Sequence, residues 1–343
     1  MQTCRCLTLA LAVVGALAAR VRADEVELTG GTHVVGDVLE RSDAGVRLLQ
    51  PGGDEITFAP GDVKKVVVDP DAPGGDRFTR FVRTGAHPGL QVGVAHYVKA
   101  GAPRVDLVGA VHAADAAYFR ALQHELDRAD TVLYEMVKPK DVDPAAKRSE
   151  AERSANPISK IQTTLARIFD LTYQTDGIDY RRRHFVHADM TAEEFLAQGG
   201  GTITKEMETM IARLGPLLAI AASFLHPSDD ASESAKATAK SLRDTIKFQL
   251  ASMLGDATKT AGALLADTDG DDLILGKRND VAMKVFDATP KTGRSIAIFY
   301  GAAHMPDLEK RLLARGYVRA GGHWWTAWDV TPAKPSGAEP AGK

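Results

Sequence analysis

The sequence predicts an α/β (α+β) fold: a central sheet carrying a large helical insert, preceded by a small β module. Three observations predict it. Residues 104–108 and 131–137 are apolar runs of strand length, and residues 114–128 between them repeat Tyr118, Leu122 and Leu126 on one helical face. Strand, helix and strand in that order is the grammar of a parallel pair. Residues 150–290 then read as mostly helical before Ser295-Ile296-Ala297-Ile298-Phe299-Tyr300 returns as a strand. Residues 24–69 break into short apolar runs separated by turn residues, the spacing of hairpins.

Taken in order, residues 1–23 read as a secretory signal peptide. Arg5 supplies the basic start, residues 7–19 are apolar or small, and Val21-Arg22-Ala23 offers a cleavage site. Both cysteines, Cys4 and Cys6, lie inside that stretch, so the processed chain is expected to contain none. A secreted or periplasmic location follows as an expectation, with a fold that relies on its core rather than on disulfides. Residues 24–69 are expected to form a small barrel of about five strands, with 32–39, 46–49, 56–58 and 63–68 as candidates. It resembles the SH3-like modules of some secreted enzymes. Asp69-Pro70-Asp71-Ala72-Pro73-Gly74-Gly75-Asp76 reads as a boundary, and 70–84 as a linker. The main domain is expected over 85–330. Within it 92–98 is a further strand, and 324–328 a candidate last one. In the insert 150–290, helical spacing runs through 203–225, 234–253 and 273–287, and Thr191 with Glu194 forms a capping box. Residues 331–343 are low in complexity and expected to be a disordered tail.

Three segments share one pattern, an apolar strand that ends in a polar residue. Leu107-Val108 leads to Gly109-Ala110-Val111-His112, Leu133-Tyr134 leads to Glu135, and Phe299-Tyr300 leads to Gly301-Ala302-Ala303-His304. Parallel strands put their carboxyl ends on one edge, where open α/β sheets bind ligands. Two imidazoles and a carboxylate are therefore expected to meet there. Glu135 carries separate weight, because a carboxylate in an apolar strand is costly unless paired or metal-bound. Imidazole and carboxylate are the usual ligands of Zn, Mn or Co, and equally the usual general acid–base groups. Gly-x-x-His occurs four times in the chain, where chance gives about one. Only the pairs at 109–112 and 301–304 follow a strand and precede a helix.

These two Gly-x-x-His segments, the intervening Glu135 and the pair Arg278-Asn279 resemble the TraB/PrgY/GumN family. That family includes the Tiki metalloproteases and is related to the erythromycin-esterase and ChaN-like folds. Val186-His187-Ala188-Asp189-Met190 resembles its secreted bacterial members. The resemblance covers about residues 85–328. It implies that His112, Glu135 and His304 are metal ligands or acid–base residues, and that Arg278 stabilises charge in the site. Arg278 is otherwise a helix-surface arginine or the partner of Glu135. Asn279, Tyr300, His187 and Asp189 could equally close ordinary hydrogen bonds, and Asp189 precedes a helix start, where a carboxylate is favoured.

The expected function is a secreted metal-dependent hydrolase of the TraB/Tiki type, using Mn, Co or Zn on a peptide or small ester. A metal-free esterase-like hydrolase is the first alternative. The other is a non-catalytic protein that sequesters a peptide, a metal or a haem-like ligand. Basic and acidic residues nearly balance, at 42 against 45, which argues against nucleic acid as a partner. After signal cleavage no membrane span is expected, since the apolar stretch 214–225 is too short. There is no Gly-x-Ser-x-Gly elbow, no His-Glu-x-x-His and no phosphate-binding Gly-rich loop. The acidic run 267–271 lacks the glycine position and the final glutamate of a calcium loop.

Overall fold

A computed structural model describes residues 24–42, 45–49, 55–67, 71–84, 88–143, 166–201, 230–255 and 275–331, with a few single positions between them. The signal-peptide reading, the acidic run 267–271, nearly all of the 203–225 helix and the tail from 332 lie outside the described residues.

The chain is mixed α/β, built on a central mixed sheet with several helices. The module comprises β1 (Asp24–Leu28), β2 (His33–Ser42), β3 (Gly45–Leu49), β4 (Glu55–Phe58) and β5 (Val63–Val67). They join as one antiparallel sheet in the order β4-β3-β2-β1-β5. Among the described residues β4 and β5 are not paired with each other. Val26, Val38, Val46 and Leu48 form its buried cluster, which also takes in Val98 and Ala320 of the main sheet.

The main sheet has seven strands. They are β6 (Thr79–Val82), β7 (Gly89–Val98), β8 (Arg104–Ala110), β10 (Thr131–Tyr134), β12 (Phe185–His187), β13 (Ser295–Gly301) and β14 (Val318–Asp329). The order is β12-β10-β13-β8-β7-β14, with β6 also on β7. The contiguous set β12, β10, β13 and β8 is parallel, and β7 runs antiparallel to β8, β6 and β14. A short pair, β9 (Ala113–Ala114) with β11 (Thr172–Tyr173), stands apart.

Helix α1 (Ala116–Leu126) links β8 to β10 and buries Tyr118, Phe119, Leu122 and Leu126, the expected face. The remaining helices are α2 (Gln174–Gly177), α3 (Ala192–Phe195), α4 (Glu233–Gly255), α5 (Lys277–Ala288) and α6 (Met305–Ala314). Thr191 and Glu194 form the expected capping box on α3.

Three expectations need correction. The stretch 70–84 is not simply a linker, because β6 lies in it as a strand of the main sheet. Its Pro- and Gly-rich start is also tied down: Trp324 Nε1 donates to the Asp71 carbonyl at 2.7 Å, and the Gly75 amide donates to Glu309. Turn chemistry announces a change of direction, and here the segment turns back onto the domain. The insert 150–290 is not wholly helical either. β12 falls inside it and adds a fourth parallel strand at the sheet edge. The last strand is also longer than expected, running over Val318–Asp329 rather than 324–328.

The core continues on both sides of β8, where Leu107 and Val108 are fully buried. Leu107→Ala is expected to destabilise the protein by about 2–5 kcal/mol through lost transfer energy and a cavity. A lowered urea midpoint with unchanged slope is the measurement that checks it.

Candidate active site at the carboxyl edge of the sheet

Four parallel strands end on one edge, and each delivers a polar group just beyond its last residue. β8 leads to His112, β10 to Glu135, β13 to His304, and β12 to Asp189. Of His112, Glu135 and His304, expected to meet at that edge, Glu135 and His304 come together there with Asp189 near by through Arg278, while His112 follows the adjacent strand and bonds Gln174.

Glu135 is the centre. It is 9 % exposed, and its backbone amide still bonds the Phe299 carbonyl at 3.0 Å, continuing the ladder with β13. Its Oε1 accepts from Arg278 Nη2 at 2.5 Å and lies 3.5 Å from His304 Nε2. Its Oε2 accepts from the Gly301 amide at 2.5 Å. Burial alone would raise its pKa. The positive charge that His304 carries when protonated, with Arg278, the His304 contact and His112, more than offsets that and holds the carboxyl well below its ordinary range.

Arg278 sits in the first turn of α5 and spans two acids. Its Nε meets Asp189 Oδ1 at 2.9 Å, and its Nη2 meets Asp189 Oδ2 at 2.6 Å as well as Glu135. Burial works against its charge, but the two carboxylates outweigh it and raise its pKa further. The geometry makes Arg278 a partner of Glu135 and not a helix-surface arginine.

His304 is 4 % exposed, in the turn between β13 and α6. Its Nδ1 is 2.7 Å from Asn279 Oδ1, and its ring meets Tyr300 edge to face at 5.2 Å. Tyr300 itself donates to the Ala188 carbonyl. His112 is the solvent-facing member of the group. Its Nδ1 lies 3.2 Å from Gln174 Oε1, and Gln174 Nε2 bonds Tyr180 Oη at 2.9 Å. His187 turns its Nε2 to the Met136 carbonyl at 2.6 Å, a structural contact.

The two motif glycines are needed for room. Neither adopts a positive φ. A Cβ on Gly109 would come within 2.9 Å of the Gly93 carbonyl oxygen, and one on Gly301 within 3.2 Å of Glu135 Oε2.

Asp189, Gln174 and Asp307 complete the site. Asp189, read either as a site candidate in the Val186–Met190 segment or as an acid ahead of a helix start, has its side chain wholly buried on Arg278. Nothing in the sequence around Gln174 or Asp307 distinguishes them. Elsewhere, His96 is a buried partner of Asp106 at 2.7 Å, His124 is exposed, and Arg181-Arg182-Arg183 forms a solvent-facing turn.

No family model, no curated protein and no solved structure matches the chain. The site is therefore read on its own chemistry. Among the described residues no group of three His, Cys, Asp or Glu side chains is spaced to hold a metal ion. The donor types are nonetheless suitable. His304 Nε2 and Glu135 Oε1 stand 3.5 Å apart. That is close to the roughly 3.4 Å between two ligands of one tetrahedral ion bound at about 2.1 Å.

Arg278→Ala leaves Glu135 and Asp189 buried without their cation, which is expected to cost about 3–5 kcal/mol near neutral pH. Glu135 has a depressed folded pKa, so its stabilisation is full above its ordinary value of 4.5 and is lost as pH falls towards the folded value. The stability gap between Arg278→Ala and the unaltered protein is thus expected to narrow as pH drops below that point. Urea unfolding across a pH series reads it directly.

Proposed function

We propose that this chain is an exported hydrolase, periplasmic or extracellular and of the TraB/Tiki fold and type, with an SH3-like module at its start. It adds water to the carbonyl of a peptide or small ester. The observation that carries this reading is the buried triplet of His304, Glu135 and Arg278 at the carboxyl edge, with the exposed His112 beside it.

Each residue has work suited to its surroundings. His304 Nε2 takes a proton from water as the oxygen attacks the carbonyl carbon, then returns it to the leaving amine or alcohol. Glu135, held anionic, stabilises the imidazolium formed in between. Arg278, fixed by Asp189, supplies positive charge where the carbonyl oxygen gains negative charge. Asp189 thus positions the cation and touches no reacting atom. His112 orients the substrate from the solvent side.

A divalent Mn, Co or Zn ion would be held by His304, Glu135 and His112. Such an ion lowers the pKa of bound water to about 7 in favourable sites. A second reading, hydrolysis without metal, is favoured by one specific contact: Arg278 already holds the Glu135 oxygen that an ion would use. In the third reading the same edge sequesters a peptide, a metal or a haem-like ligand without turnover.

Elemental analysis of the purified mature chain, with peptide and chromogenic-ester substrates before and after chelation, separates the three. Turnover is expected, and it should fall about 10²–10⁴-fold in His304→Ala. Metal in stoichiometric amount, with activity lost on chelation and restored on add-back, supports the first reading. Activity that survives complete metal removal supports the second. Turnover absent from the unaltered protein, or unchanged in both His304→Ala and Glu135→Gln, would sink hydrolysis at this site.

A further inference from the structure

The hydrogen bonds behind His304 fix more than its position. Asp307 is the third residue of α6, where the helix N-terminus favours a negative charge. Its Oδ2 also accepts from Arg311 Nε at 2.6 Å. An ionised carboxylate can only accept. Asn279 must therefore point its amide nitrogen at Asp307, and Nδ2 lies 2.8 Å from Asp307 Oδ2.

An amide carries its nitrogen at one end and its oxygen at the other. With the nitrogen committed, Asn279 Oδ1 faces His304 Nδ1 at 2.7 Å. A carbonyl oxygen also only accepts, so the hydrogen in that contact belongs to Nδ1. The neutral ring is then left with a bare Nε2, the atom 3.5 Å from Glu135 Oε1. Asn279 is fully buried, so water does not offer the amide an alternative partner. Arg311 in addition bonds Asp280, the neighbour of Asn279, which ties the start of α5 to α6 at this point.

We propose that Asp307 is a positioning residue, locking the Asn279 amide one way round so that His304 keeps its proton on Nδ1 and presents a bare Nε2 to the site. The purpose of that arrangement rests on the proposed role of His304 as proton acceptor or ligand; the arrangement itself does not. A partner that orients a histidine by its other nitrogen is a common device in catalytic and metal sites.

The test is Asp307→Asn in the full mature chain. An amide at 307 can offer either end to Asn279, so Asn279 is released to turn. Ring nitrogen shifts of His304, in long-range nitrogen–proton correlation spectra of histidine-labelled protein, report the tautomer. They are read at alkaline pH, where the ring is neutral, and assigned with His304→Gln. The unaltered protein is expected to show only the Nδ1–H form, and Asp307→Asn a mixture. kcat should fall about 10–100-fold with KM little changed. If Asp307→Asn does not fold, Asp307→Ala removes the acceptor and is read in the same way. An Nε2–H ring in the unaltered protein overturns the proposal, as does a pure Nδ1–H ring in the variants. A mixed tautomer with unchanged kcat overturns the positioning role. If no substrate is turned over at all, hydrolysis fails as a reading, while the ring spectra still decide what Asp307 does.

Discussion

A carboxylate at the end of a buried strand constrains everything around it. Glu135 continues the β10–β13 ladder through its backbone, which holds its side chain at the buried carboxyl edge. Leaving it charged and unpaired would cost several kcal/mol. The surroundings answer that need in layers. Arg278 brings the cation, Asp189 fixes its guanidinium, the Gly301 amide takes the second oxygen, and His304 stands against the first. The place of α5 follows, because its first turn must reach Glu135 and Asn279 must reach His304. Glycine at 301 also keeps the carboxylate uncrowded, since a Cβ there would stand 3.2 Å from Glu135 Oε2.

The two histidines illustrate how one residue type is set to different ends. His304 is buried and bounded by Asn279, Tyr300 and Glu135. His112 faces solvent and is braced by one amide, Gln174, which is braced in turn by Tyr180. Their separate surroundings motivate separate roles in the proposed reaction, one at the reacting atoms and one at the entrance. Charge in the site is close to balanced only when the arginine is counted, which makes Arg278 part of the architecture as well as of the proposed chemistry.

Much of the arrangement was legible because its signals are strong. The parallel unit β8–α1–β10 shows in the period of its apolar residues, and Glu135 shows because it interrupts an apolar run. His112 and His304 show because both follow a strand through a Gly-x-x-His step. Less was legible where signals are short or shared. β12 has three residues and a half-exposed pattern, too brief for any periodicity to register. Asp189 sits where a helix-capping acid would sit, and its real partner is far away in sequence. Arg278 could not be placed until α5 was. Asp307 looks like any acid in a first helical turn, and its meaning comes only from the amide it faces. The glycine-rich start of the 70–84 stretch shows a turn, but no local pattern reveals that β6 then joins the main sheet.

The strand order also bears on how the molecule comes together. β13, close to the end of the chain, lies between β8 and β10, which are joined to each other early in the sequence by α1. The two early strands have no direct pairing with one another, so they wait for a partner made long after them. Sheets closed by such distant segments form slowly, since the entropy of the intervening loop is spent before the contacts repay it. Until β13 arrives, the inner edges of β8 and β10 are open and apolar, which exposes them to the wrong partners. Folding of this chain is therefore a late, whole-molecule event, and truncation ahead of β13 removes the middle of the sheet rather than its rim.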